Sequence, residues 1–158
     1  MAMTVKVDGM ETISMMLQNL GDKAEGIASR GLFKGAGIMA DEIRKEAAGI
    51  RTGPGASRES ARYATQEEKQ IVMNAAAGIA KFKKNGTEVD TSIGFRNAGY
   101  AEINGKSVPI PKIVNAINSG TSFMHKQPFV RKAANRAKER ASEAIRASIE
   151  ADVNGITK

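Results

Sequence analysis

Apolar positions along the chain follow two different periods, and the points where the period changes divide it into elements. Thr4 to Asp8 (TVKVD) alternates β-branched and polar residues before Gly9, which predicts a short strand ending in a turn. From Glu11 to Leu20 the spacing becomes helical, with Ile13, Met16, Leu17 and Leu20 on one face until Gly21 interrupts it. A longer helical pattern covers Asp22 to Ala48, where Leu32, Ala36, Met39, Ile43, Ala47 and Ile50 recur three and four apart. Gly26, Gly31, Gly35 and Gly37 lie within it, and glycine weakens a helix, so another backbone is expected to pack closely there.

Arg51 to Ser57 (RTGPGAS) ends this helix in a flexible connection. Ile71, Val72, Ala75, Ala76, Ile79 and Phe82 then predict a third helix over 66–83, closed by the basic turn KFKKNG. Val89, Thr91, Ile93 and Phe95 share one side of a period-two pattern over 87–95, a strand, and Tyr100 to Ile103 is its expected hairpin arm ahead of Asn104-Gly105. Pro109 and Pro111 bracket the entry to a short helical stretch over 112–118. Finally, Val130, Ala134, Ala137, Ala141, Ile145 and Ile149 predict a helix over 128–153 with Pro128 at its first position. On its outer face Arg140, Glu143, Arg146 and Glu150 are spaced to form ion pairs with one another. The predicted fold is α+β: a small antiparallel sheet from 4–8, 87–95 and about 100–108, packed against the long central helix and the C-terminal helix, in a single domain.

Composition narrows the chemistry. The 158 residues contain no Cys and a single His, which removes disulfides, thiolate nucleophiles and Cys-based metal sites. His125 lies in the polar stretch SFMHKQ without a nucleophile-elbow context and reads as a surface histidine. Gly49, Gly53 and Gly55 lack the Lys-Ser/Thr of a phosphate loop, and the adjacent carboxylates Asp41-Glu42 and Glu67-Glu68 read as solvated charges. No catalytic, cofactor or metal site is therefore expected. No apolar run approaches the length of a membrane span, and the N-terminus lacks a basic region followed by an apolar core, so a soluble protein made in the cytosol is expected.

The net charge of +7 concentrates at 51–86 and in the C-terminal helix. Arg58, Arg62, Lys81, Lys83, Lys84, Arg136 and Arg140 are candidate contacts for DNA or an acidic partner. The stretch Arg131 to Arg140 has no interleaved aromatics, so it suits phosphate contact better than base stacking.

At Ser119 to Lys132 the chain reads SGTSFMHKQPFVRK. With Gly120, Thr121, Ser122, Met124, Pro128, Phe129 and Arg131 in that order, it resembles the small tail-completion, or head-tail joining, proteins of long-tailed bacteriophages, the gene-product-ten-like tail-component family of HK-type lambdoid phages. Arg51-Thr52-Gly53, after a short and a long helix, is a second match. Two departures stand out: Asn118 and Ser119 replace an acidic residue and an aromatic, and the basic helical segment 56–86 is inserted after Arg-Thr-Gly. The resemblance implies a virion structural protein, not an enzyme, forming a homo-oligomeric ring, a hexamer, between the head connector or stopper and the tail tube or tail terminator, with DNA in the axial channel. The alternative is a basic, non-specific DNA-binding accessory protein. In physical terms Gly120 supplies a positive φ, Thr121 and Ser122 bond to local backbone, Phe129 pins the last helix, and the loop 122–127 is the surface for neighbours.

Overall fold

The computed structural model describes residues 2–4, 20–55, 60–75, 78–79, 83–85, 88–90, 92–95 and 98–157, with side chains described for most of the helical and loop residues among them. Residues 11–19 of the predicted helix Glu11 to Leu20, the strand residues after Thr4 and the connection 56–59 lie outside the described residues.

The fold is α+β. Strand β1 (Ala2–Thr4) is followed, after a 3-10 turn at Gly21–Lys23, by helix α1 (Ala24–Ala48). Helix α2 (Gln66–Ala75) leads to four short strands, β2 (Gly78–Ile79), β3 (Lys83–Asn85), β4 (Glu88–Asp90) and β5 (Ser92–Gly94). The hairpin β6 (Tyr100–Ile103) and β7 (Lys106–Pro109) runs into helix α3 (Ile110–Ser119), and helix α4 (Phe129–Thr157) completes the described chain. No described helix is long and apolar enough to cross a membrane.

Helices α1 and α4 form the frame. Ile27, Gly31, Gly35, Met39, Ile43 and Ala47 are buried along α1, and Ala133, Ala137, Ala141, Ile145, Ile149 and Val153 along α4, each row advancing four residues at a time. Rows of this kind are the ridges through which helices interdigitate. The expected close packing at glycine holds at two of four positions. A methyl built at Gly35 would lie 2.5 Å from Ile145 Cγ1, and one at Gly31 would lie 2.9 Å from Ile149 Cγ1, whereas Gly37 has nothing within 4 Å and Gly26 only an arginine tip at 3.6 Å. Arg30–Asp152 at 2.9 Å, Arg140–Glu42 at 2.6 Å and Arg136–Glu46 bind the helices in antiparallel register.

The β structure differs from the expected single sheet. It forms three separate antiparallel ladders, β1-β5-β2, β3-β4 and β6-β7. The predicted strand over 87–95 is two strands: Glu88–Asp90 folds back on Lys83–Asn85, while Ile93 stands opposite Met3 and Ile79. The predicted arm at 100–103 pairs with 106–109 instead of with 87–95. Local turn chemistry accounts for this. Asn104 at φ 52 and Gly105 at φ 73 make a two-residue turn whose twist matches a hairpin, so the neighbouring segment is captured before a distant one.

Helix α2 stops at Ala75, short of the expected 83. Ile79, counted in the helical pattern, sits in a strand beside Gly78, a poor helix former, so pairing with β5 overrides the apolar spacing. Ile93 and Phe95 are buried in the main core with Ile43, Val72, Ile113 and Val114, while Ile27, Ile145, Ile149 and Val153 form a smaller cluster toward the far end of the helix pair.

Candidate functional site

The two stretches that carry the family resemblance fold into one knot at the junction of α1, α3 and α4. Gln127 ties them together: its side-chain Oε1 accepts from Arg51 N at 2.7 Å, and its Nε2 donates to Arg51 O at 3.1 Å. One amide side chain thus satisfies both backbone groups of Arg51, as a neighbouring strand would. The Gln127 N–H donates to Ile117 O at 2.8 Å, which anchors the loop to α3.

Residues 62–64 run between the stretches and bridge to both in parallel, Thr52 with Ala64 and Arg62 with Met124. Gly53 N donates to Ala64 O at 3.1 Å and Tyr63 N to Gly53 O at 2.9 Å. On the other side Arg62 N donates to Phe123 O and His125 N to Arg62 O, both at 2.9 Å. His125, expected at the surface, is half-buried with its ring centroid 4.8 Å from that of Tyr63.

Gly120 and Thr121 build the turn as expected, whereas Ser122, also expected to bond to local backbone, makes no side-chain hydrogen bond among the described residues. Gly120 has φ 77, and a Cβ there would lie 3.0 Å from Lys126 Cβ, so position 120 calls for glycine on two counts. The Thr121 hydroxyl oxygen accepts from Phe123 N and Met124 N, each at 3.1 Å, and Thr121 N donates to Met124 O at 3.0 Å. Met124 is buried, Ser122 is exposed, and Phe123 projects at the tip with 78% of its surface exposed. Helix α4 begins at Phe129, one residue after the expected start; Pro128 O accepts from Lys132 N. Phe129 is buried with its ring edge-on to Phe95, which anchors the helix as expected.

Asn118, a departure from the family pattern, is buried and its Oδ1 accepts from Val130 N at 3.2 Å in the first turn of α4. A carboxylate oxygen would accept the same bond, so the substitution preserves the cap. Asn118→Ala is expected to cost about 1 kcal/mol, read as a lower urea midpoint, with Asn118→Asp close to wild type; equal losses in both variants would contradict the capping role.

Three of the candidate cations are paired within the chain. Arg62 is held within the chain: Nη1 and Nη2 donate to the Glu68 oxygens at 2.9 and 2.8 Å, and Nη1 also donates to Tyr63 O. Arg136 is paired with Glu46 and Arg140 with Glu42, not with Glu143 on its own helix. All three charges are met by carboxylates of the same molecule: the antiparallel helices bring the partners of Arg136 and Arg140 into contact from 90 and 98 positions away, and Glu68 lies six residues after Arg62. Arg58 and Lys81 lie outside the described residues, and Lys83 and Lys84 are placed in β3 by their backbone alone.

Glu68 is likewise not a solvated charge. Its side chain is 12% exposed, it accepts from Thr65 N at 2.8 Å, and Glu68 N donates to Thr65 Oγ1 at 3.0 Å. That reciprocal pair is a capping box at the start of α2, legible in the sequence as Thr-x-x-Glu. Glu42 is 7% exposed at its side chain and ion-paired, while Asp41 is exposed and pairs with Arg44.

The charges left free define a different surface. From Ile103 to Lys138 the sequence holds seven Lys and Arg and no Asp or Glu. Arg51, Lys126, Arg131 and Lys132 are exposed around the knot and make no ion pair among the described residues. Arg131 and Lys132 occupy the first turn of α4, which has no acidic residue, and its last turn has no basic one. Cations at a helix N-terminus oppose the helix dipole, at about 0.3–1 kcal/mol each. Folding alone does not favour that placement.

A cleft of about 580 Å³ adjoins the knot, lined by Thr52, Pro54, Ser60, Tyr63 and Gln66 among others, and its one ionisable side chain of fixed charge is Arg62, already tied to Glu68. Among the described residues no three His, Asp or Glu lie close enough to hold a metal ion. The site offers rigid backbone, a projecting aromatic and unpaired positive charge, which are means of docking. No protein-family model, characterised protein sequence or solved structure matches the chain.

Proposed function

We propose that the chain is a structural subunit of the phage head-tail junction, assembling as a ring, a hexamer in the related family, that joins the head connector to the tail tube. The observation that carries this reading is the knot. Arg51-Thr52-Gly53 and Gly120 to Phe129, the two stretches on which the resemblance rests, lie 76 residues apart at Arg51 and Gln127 and are bonded to each other through those residues. Their bonds hold a short loop in one shape with Phe123 outward, and loops fixed on a rigid scaffold are a common means of recognition.

The alternative is a basic, non-specific DNA-binding accessory protein, for which the exposed Arg51, Lys126, Arg131 and Lys132 would be the phosphate contacts. The direct test removes the gene from a phage that encodes it. The expected result is filled heads and separate tails that do not join, restored by supplying the protein; normal particles without it, or its absence from purified wild-type particles, would sink the reading.

A further inference from the structure

The ring needs a contact, and the charge pattern of α4 supplies one. Its N-terminal part carries Arg131 and Lys132, without an ion pair among the described residues, close in sequence to Lys126 and the exposed Phe123. Farther along, Glu139, Glu143, Arg146 and Glu150 lie on the outer face, opposite the row buried against α1, and none of the three glutamates is ion-paired among the described residues. Ala147 lies between Glu143 and Glu150 on the helix surface and Ala151 follows it one turn on, so two exposed small residues border these carboxylates. One end of the helix is thus basic with a projecting aromatic ring. The other carries three glutamates and one arginine, with small residues beside them where a flat ring can lie.

We propose that two copies of this chain meet head to tail, with Phe123 of one lying on Ala147 and Ala151 of the next and Lys126, Arg131 and Lys132 facing Glu139, Glu143 and Glu150. The two surfaces are different patches of the same molecule, so the contact is heterologous and repeats from copy to copy, which is the kind of contact that generates rings. The placement also explains why cations stand at the N-terminus of α4 against the helix dipole: the partner's carboxylates offset there what the molecule's own helix does not. A nucleic acid would use the cations and the ring of Phe123 but not the acidic strip, so a second copy, which uses both surfaces, fits better. This inference rests on the assembly reading above and specifies its interface.

The test is the mass of the purified full chain in solution at low salt, for wild type and two charge-reversed proteins, Lys126→Glu/Arg131→Glu/Lys132→Glu and Glu139→Lys/Glu143→Lys/Glu150→Lys, each checked for wild-type helicity. Wild type is expected to form a discrete oligomer that dissociates as salt rises, and each reversed protein to need at least about tenfold higher concentration to assemble. An equimolar mixture of the two is expected to recover assembly, since each then presents the charge the other lacks. Phe123→Ala is expected to weaken assembly with the salt dependence unchanged. A wild-type monomer at all concentrations, reversed proteins of wild-type mass, or a mixture that fails to recover would overturn the interface. Presence of the protein in purified particles is scored separately, so a failed interface with the protein in the virion leaves the neck reading standing.

Discussion

Ile145→Ala is expected to lower stability by about 2–5 kcal/mol and Gly35→Ala by about 1–3 kcal/mol, while the two together cost less than their sum. Ile145 is buried against Gly35, where a methyl would lie 2.5 Å from Cγ1 and 2.6 Å from Cδ1 of that side chain. Alanine at 35 alone forces two helices apart that several ion pairs and a row of buried residues hold together; alanine at 145 alone leaves a void. Together, the new methyl occupies part of the space vacated. Gly37, two residues along the same helix with nothing within 4 Å, is the control, and Gly37→Ala is expected to stabilise by about 0.5–1 kcal/mol through helix propensity. Urea unfolding of the four proteins in a double-mutant cycle measures the coupling, and strict additivity of the 35 and 145 substitutions would refute the proposed contact.

The second large effect concerns Arg62 and Glu68. Arg62→Met is expected to cost about 1–3 kcal/mol at neutral pH, because it leaves a largely buried carboxylate with only the Thr65 bond. The hydrogen bonds from Arg62, and then that from Thr65, hold the Glu68 carboxyl below its ordinary value, outweighing the burial that pushes it up, while Glu68 raises Arg62 further above neutrality. A carboxyl depressed in the folded state contributes stability above its unfolded value, about 4.3, and loses it as pH falls through the folded value. The gap between wild type and Arg62→Met should therefore be full at pH 7 and narrow progressively below about pH 4. Urea midpoints across that range read it directly; a gap that stays constant into acid would exclude the ion pair as its source. The knot depends on this pair, so the same substitution should also increase protease cleavage near Phe123.

The helical frame was legible because its pattern is long and regular. Rows of apolar residues in α1 and α4, with glycine where the partner is bulky, leave few other ways to bury them. Asn104-Gly105 was legible as a turn, but its consequence, a hairpin closed on itself, was not, since the arm at 100–103 could also have reached 87–95. The division of 87–95 between two ladders was hidden for a different reason: alternation sets which side a residue faces and says nothing about the partner strand. At the site, Gly120, Thr121 and Phe129 act locally and took their expected roles. Arg136 and Arg140 depended on carboxylates brought near by the tertiary fold and Arg62 on one six residues on in the next helix, and a charge in a sequence looks the same whether it is paired or free. Thr65-x-x-Glu68 is a readable capping signal, and its carboxylate differs in role from the adjacent Glu67, which is exposed.

The antiparallel pairing of α1 with α4 also sets the order of events during synthesis. Arg30 finds its partner Asp152 only 122 residues later. At about 5–20 residues per second, the glycine-lined stripe of α1 emerges from the ribosome and waits roughly 6–25 s for the side chains that cover it. Until then Gly31 and Gly35 have nothing to fill the groove they leave, and glycine gives a helix little strength of its own. Nascent chains ending before Ile145 should therefore hold α1 loosely, open to chaperones and proteases, and the two-helix frame should lock in a single late step as the last turns of α4 arrive.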